Sequence, residues 1–270
     1  MSRNLILRIT VAAIFGPLII WIGYRGGWWL VGMVLLFAAL GLGEYLWQLK
    51  DKLPSHIRAV VFLLTIGAVY AAVKMSDQLS LFLLIGLFLC IGMAQAVQKK
   101  TPAELFNSTV VAFWGAAYIG FLYPFVYKVR QIYPEQGGDW FLFLFGTLWL
   151  ADTMAMGVGK AIGRHKFAPT VSPNKTVEGF FGGLLGGIIV AVIMRLWLLS
   201  SFDWWVLIVA GLIVSLVGQL GDLVESMWKR SYGIKDSSAI IPGHGGVLDR
   251  FDSLLFAAPA LYWFLKFIAP

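Results

Sequence analysis

Between Ser226 and Asp252 the chain reads "SMWKRSYGIKDSSAIIPGHGGVLDRFD". Lys229, Arg230, Lys235 and Arg250 supply cations, and Gly243, Gly245 and Gly246 around His244 free the backbone to point N–H groups together as an anion-binding nest. Those are the parts of a phosphate site. Asp222, just upstream, and Asp249 fall on the two helices predicted to end at this loop. Brought together they would suit Mg²⁺, which binds through one or two carboxylates, waters and substrate phosphates.

A second polar segment, "GRHKFAPTVSPNKTVEG", adds Arg164, His165, Lys166, Ser172, Asn174, Lys175 and Thr176 just before a predicted helix start. A helix N-terminus with hydroxyls and a lysine is another anion site. Either segment alone also reads as a lipid-headgroup contact or a topology signal. Acids beside both turn the reading towards phosphoryl or nucleotidyl transfer. There is no G-x-x-x-x-G-K-[ST] loop and no His and Cys spacing for zinc. His244 reads equally as a general base and as a phosphate donor or structural partner. A phosphate nucleophile is already ionised near neutral pH, so the protein must chiefly overcome repulsion between anions and align them.

The elements that position these groups are apolar. Of 270 residues, 59% are hydrophobic and 13% charged, against about a quarter charged in soluble domains. Windows of about 20 apolar residues fall near 5–24, 28–49, 59–73, 79–97, 109–127, 140–162, 177–199, 204–227 and 251–268. This predicts an all-α integral membrane protein, a polytopic bundle of about nine transmembrane helices in one domain spanning 1–270. Within it, 1–139 form N-terminal, structural helices, and 140–270 form the catalytic part with loops 163–176 and 228–250. The first window lacks a small-residue cleavage site after it and reads as a retained helix. Cys90 is the single cysteine, so no disulfide or Cys-based metal site forms within one chain.

With the N-terminus inside, alternation of the spans puts fifteen Lys and Arg on the inner side. Five lie in the outer segments, Arg25, Lys74, Lys128, Arg130 and Lys266, and Arg195 falls within the 177–199 window. This positive-inside bias places both polar loops on the cytoplasmic side of a cell (inner) membrane. The basic residues are scattered among spans rather than gathered on a soluble face, which argues against nucleic acid.

Glu44, Asp152, Glu178, Asp222, Glu225 and Asp252 lie inside or at the edge of apolar runs. A carboxylate at the centre of a lipid-facing helix costs about 2.5–3.5 kcal/mol, so these must face the bundle interior or a wet cavity. Gly218, Asp222 and Ser226 step by four, with Glu225 three from Asp222, which draws a polar stripe on one helical face. Asp152, Ala155, Gly159 and Gly163 draw a second; its glycines also permit close helix approach. Glu44 stands near Lys50 without polar company, and an interfacial cap or ion pair accounts for it as well as a functional role does.

The stretch from Ser226 resembles the phosphatidate cytidylyltransferases, the CDP-diacylglycerol synthases. It matches their S-x-x-K-R, K-D and P-x-H-G-G-x-x-D-R-x-D pieces through Ser226, Lys229, Arg230, Lys235, Asp236, Pro242, His244, Gly245, Gly246, Asp249, Arg250 and Asp252. Asp152, Ala155, Gly159, Ser172, Pro173, Lys175, Thr176 and Gly179 resemble the family's D-x-x-A-Y-x-x-G and S-P-x-K-T-x-x-G pieces. Trp228 departs from the usual aliphatic residue or Phe, and Met156 from the common Tyr. The resemblance covers roughly the C-terminal half.

What the resemblance implies is a Mg²⁺-dependent nucleotidyltransferase of phospholipid biosynthesis that converts CTP and phosphatidate to CDP-diacylglycerol and pyrophosphate. Asp222 and Asp249 become the first expected metal ligands, with Asp152 and Asp252 as outer or alternative ones, for one ion or two. Lys229, Arg230, Lys235 and Arg250 would hold CTP phosphates and pyrophosphate. Ser172, Lys175 and Thr176 would contribute from the other loop, and His244, Gly245 and Gly246 would shape the nest. Glu178 and Glu225 would orient lysines. The small residues of "GGLLGG" suit packing within the chain or in a homodimer. A carrier would need related halves and a midplane site, and a lipid-binding protein leaves the paired aspartates unexplained. The D-x-x-D-G-x-x-A-R run of the CDP-alcohol phosphotransferases is absent.

Overall fold

The computed structural model describes residues 3–241 and 245–268. Its helices are α1 Arg3–Arg25, α2 Gly27–Gln48, α3 Ser55–Lys74, α4 Asp77–Ala96, α5 Pro102–Leu122, α6 Pro124–Ile132, α7 Gly137–Ile162, α8 Val177–Trp197, α9 Trp204–Ser231 and α10 Leu248–Ile268. Among the described residues eight stretches are long and apolar enough to cross a membrane, with Pro102–Ile132 as one of them. At 23 residues α1 is about 34 Å long, but its apolar part, Ala13–Arg25, is shorter than these eight. A bilayer core offers the backbone no hydrogen-bonding partners, so apolar windows of this length close their bonds internally as helices.

Three features depart from the sequence reading. The third span is a full-length helix of 20 residues. The fifth window is split: Pro124 starts a new helix at its first position, where a missing N–H costs nothing. The segment 163–176 carries a small antiparallel hairpin, β1 Lys166–Ala168 with β2 Ser172–Thr176, in the register Lys166↔Thr176 and Ala168↔Ser172. Helix ends are fixed by local chemistry. Thr101 and Glu104 form a capping box before α5, and the Thr176 hydroxyl accepts the Gly179 N–H at 3.1 Å to start α8.

Side chains tie the connections into two opposite faces. On one, Lys100 Nζ donates to the Lys52 carbonyl at 3.1 Å, Gln48 to the Ser237 carbonyl at 3.0 Å, and Arg230 reaches the Val171 carbonyl at 3.4 Å. On the other, Arg130 Nε donates to the Gly23 carbonyl at 2.9 Å, Tyr24 to Asp139 at 2.6 Å, and Lys128 pairs with Asp77. The faces follow the predicted alternation and gather both polar segments on one side.

The core runs through the bundle centre, where Tyr45, Trp140, Phe141, Phe143 and Leu30 are fully buried. In "GGLLGG" a Cβ on Gly182 or Gly186 would press on Val158 or on the backbone at Leu150 and Ala151, in α7. One on Gly183 or Gly187 would press on Gln219 or the Gly211 carbonyl oxygen, in α9. Helix α8 is thus set between α7 and α9 at near-backbone contact, the within-chain packing expected of small residues.

Candidate active site

Two charged clusters lie side by side at the face that gathers the polar segments. The first lines a cavity of about 660 Å³ between α7, the hairpin, α8 and α9, walled by Asp152, Lys160, Asn174, Lys175, Thr176, Gln219 and Asp222 with Phe167 and Phe180. Lys175 Nζ pairs with Asp222 Oδ2 at 2.7 Å, and Ser226 donates to Asp222 Oδ1 at 3.2 Å. Asp152 stands within electrostatic range of Asp222, Lys175 and Arg250. Phe167 of β1 stacks on Phe180 of α8, with ring centres 4.8 Å apart. Folding 166–176 as a hairpin carries Lys175 over the cavity. The close packing of α8 brings Asp152 and Asp222, seventy residues apart in sequence, to its two walls.

The second cluster is drier. Lys229 Nζ lies 2.6 Å from Glu225 and 2.8 Å from Asp249, and the Glu225 side chain is fully buried. Asp249 also accepts the Ser237 N–H and the Gly246 N–H, each at 2.8 Å, and the Ser237 Oγ lies 3.0 Å away, between it and Glu44. Asp252, 7% exposed on α10, faces Glu225 and Asp222. Gly245 has a positive φ of 85°, open to glycine without strain, and a Cβ on Gly246 would overlap the Ser237 hydroxyl.

Helix α9 continues to Ser231 and α10 begins at Leu248, so Lys229, Arg230, Asp249 and Arg250 sit on helix ends rather than in the loop. Arg230 donates to the Ile234 carbonyl at 2.9 Å as well as to Val171. Lys235 is exposed, Arg250 is exposed within reach of Asp152, and Ser172 opens β2. Glu225 does hold a lysine; Glu178 instead binds the His165 ring at 2.7 Å. His244 lies outside the described residues. Trp228 stacks on Tyr45 with centres 4.7 Å apart, and Met156 lines the cavity, so the two departures bear on packing and on the cavity wall.

Among the described residues, no three acid, His or Cys side chains converge as a ready-made metal cage. Asp152 and Asp222 nonetheless present hard oxygen donors to one cavity, which fits Mg²⁺ sharing its coordination with waters and phosphate. Asp249 is not among the residues lining that cavity, and its oxygens accept from Lys229, Ser237 and Gly246. Asp222 and Asp249 therefore take different partners.

The sequence reading left Glu44 open. In the structure this residue of α2 is 3% exposed and accepts from Ser237 Oγ, Ser238 Oγ and the N–H groups of Val247 and Leu248. Its neighbour Lys50 lies over the Trp47 ring instead. An acid inside an apolar run near the end of a span was the available signal. Gln219, one step from Gly218 of the polar stripe, was also missed; it donates to the Phe180 carbonyl at 3.4 Å.

Fold and site together define a multi-pass membrane protein whose charged machinery is gathered at one face of the bundle. The chain belongs to the cytidylyltransferase family, whose sequence pattern matches residues 6–268. It is 44% identical over 156 residues to a phosphatidate cytidylyltransferase of Staphylococcus epidermidis and 46% identical over 156 residues to one of Staphylococcus aureus, each match covering 58% of both chains. With one of Staphylococcus saprophyticus it shares 47% identity over 145 residues, 54% of both chains. The matches thus span little more than half the length of these relatives.

Proposed function

We propose that the protein transfers the cytidylyl group of CTP to phosphatidate, giving CDP-diacylglycerol and pyrophosphate, at the cytoplasmic face of a cell membrane. An oxygen of the phosphatidate phosphate attacks the α-phosphorus of CTP. The bond from that phosphorus to the β-phosphate bridge breaks, and its electron pair leaves with pyrophosphate. The observation that carries this reading is the cavity in which Asp152, Asp222 and Lys175 meet beside apolar Phe167 and Phe180. It offers charge for phosphate and a greasy wall for a lipid. The names of the staphylococcal relatives support the choice of substrates.

Lys175 and exposed Lys235 and Arg250 neutralise phosphate charge, and the backbone at Gly245 and Gly246 shapes the loop against it. Lys229 holds Glu225 and Asp249 together, so it acts from behind the loop. Asp152 and Asp222 would hold Mg²⁺, with Asp252 behind them. Bound there, the ion supplies positive charge that offsets repulsion between the two phosphates. The positive-inside bias supports the cytoplasmic orientation.

The test is purified protein in detergent with phosphatidate and CTP labelled at the α-phosphorus, with and without Mg²⁺. Label is expected in lipid only with Mg²⁺, and with CTP ahead of ATP, GTP and UTP. Folded protein that moves no label under any ion would overturn the reading.

A further inference from the structure

Glu44 stands on α2, in the half of the chain expected to be structural, yet its carboxylate is built into the loop between α9 and α10. Oε1 accepts the Ser238 hydroxyl at 2.6 Å and the Val247 N–H at 2.8 Å; Oε2 accepts the Ser237 hydroxyl at 2.9 Å and the Leu248 N–H at 2.9 Å. Each oxygen thus takes one hydroxyl and one backbone donor, a full complement for a carboxylate. The four donors come from both limbs of the loop, Ser237 and Ser238 where it leaves α9, Val247 and Leu248 where it enters α10. The N–H groups of Val247 and Leu248 belong to the start of α10, where donors have no partner within the helix. Helices usually cap such groups with their own preceding residue. Here the cap comes from a residue some two hundred positions earlier, so the loop is registered to α2.

The contact continues inward. Ser237, its hydroxyl held by Glu44, donates its backbone N–H to Asp249, and Asp249 accepts from Lys229. Gly246 runs so close to both Ser237 and Glu44 that a side chain there would collide with each. From this geometry we infer that Glu44 is a positioning residue for the nucleotide. It fixes the loop carrying Lys235, Gly245 and Gly246 before CTP arrives, so that CTP does not have to order the loop on binding. The inference rests on the reading of the site as a CTP-using transferase.

Glu44→Gln keeps shape but turns an NH₂ towards one serine hydroxyl and one backbone N–H. A serine hydroxyl can rotate to accept from it; the N–H of Val247 or Leu248 cannot. The expected result is a rise of about tenfold or more in KM for CTP, from one buried donor left unpaired, with KM for phosphatidate unchanged. Glu44→Asp, which keeps charge and acceptors one methylene short, recovers part of the loss. Ser238→Ala raises KM for CTP less, and adds nothing on the Glu44→Gln background.

Wild-type KM for CTP in Glu44→Gln, or an equal rise for both substrates, overturns the inference, as does full additivity with Ser238→Ala. If Glu44→Gln does not fold, Ser238→Ala and Glu44→Asp carry the same test on KM for CTP. Should the wild type fail to make CDP-diacylglycerol, the functional reading fails instead. Amide exchange then still tests the clamp, which requires faster exchange at Ser237, Ser238, Val247 and Leu248 in Glu44→Gln with helix α9 unchanged.

Discussion

Replacing Lys175 by Met keeps the reach of the side chain and removes its charge, which separates stability from chemistry at this site. The Lys175–Asp222 pair is 2.7 Å long, but its side chains are 28% and 32% exposed at the edge of the cavity. Screening at that exposure leaves such a pair worth about 0.5–1 kcal/mol, so the variant should unfold within a few degrees of the wild type. Its effect on transfer should be far larger. A preorganised donor aimed at charge that develops in the transition state is worth about 2.7–4 kcal/mol, a loss of roughly 10²–10³ in kcat. The assay follows α-labelled CTP into lipid at saturating substrates, alongside thermal unfolding in the same detergent. Transfer within about threefold of wild type, less than 1 kcal/mol, would show that Lys175 does not touch the reacting phosphates. A collapse of unfolding temperature together with activity would show that the pair is structural and refute the argument from exposure.

Lys229→Met should behave in the opposite way. It strands Glu225 and Asp249, 0% and 4% exposed, and breaking a buried pair costs about 3–5 kcal/mol. The unfolding temperature should fall sharply and recover in part when Glu225→Gln is added; a wild-type melt would refute the pairing. Gly187→Val should push α8 from α9, since even a Cβ meets the Gly211 carbonyl, at a cost of about 1–3 kcal/mol. Leu185→Ala, on an exposed position two residues away, should not, and equal melting of the two would remove the close-packing argument.

The helices were legible because apolar windows of bilayer length have one stable solution in lipid, and the acids betrayed themselves by standing where lipid would punish them. Asp152, Lys175, Thr176 and Asp222 do line one cavity. The break at Pro124 was less visible, because an apolar run crosses it and only the ring signals a new start. The hairpin at 166–176 was missed because strands this short carry no periodicity. The partners of Glu44 were invisible for another reason: two of them are backbone N–H groups, and main-chain donors leave no mark on a sequence.

That last property bears on how the loop can vary. The Glu44 carboxylate reads Val247 and Leu248 through N–H groups that nearly every amino acid possesses, and Arg230 reads Val171 and Ile234 through carbonyls that all of them possess. These contacts themselves are therefore indifferent to side-chain identity at those four positions. They exclude only proline at 247 and 248, where the donor would vanish. Drift at these sites can reshape what the loop shows to its surroundings while the ties that hold its course stay in place.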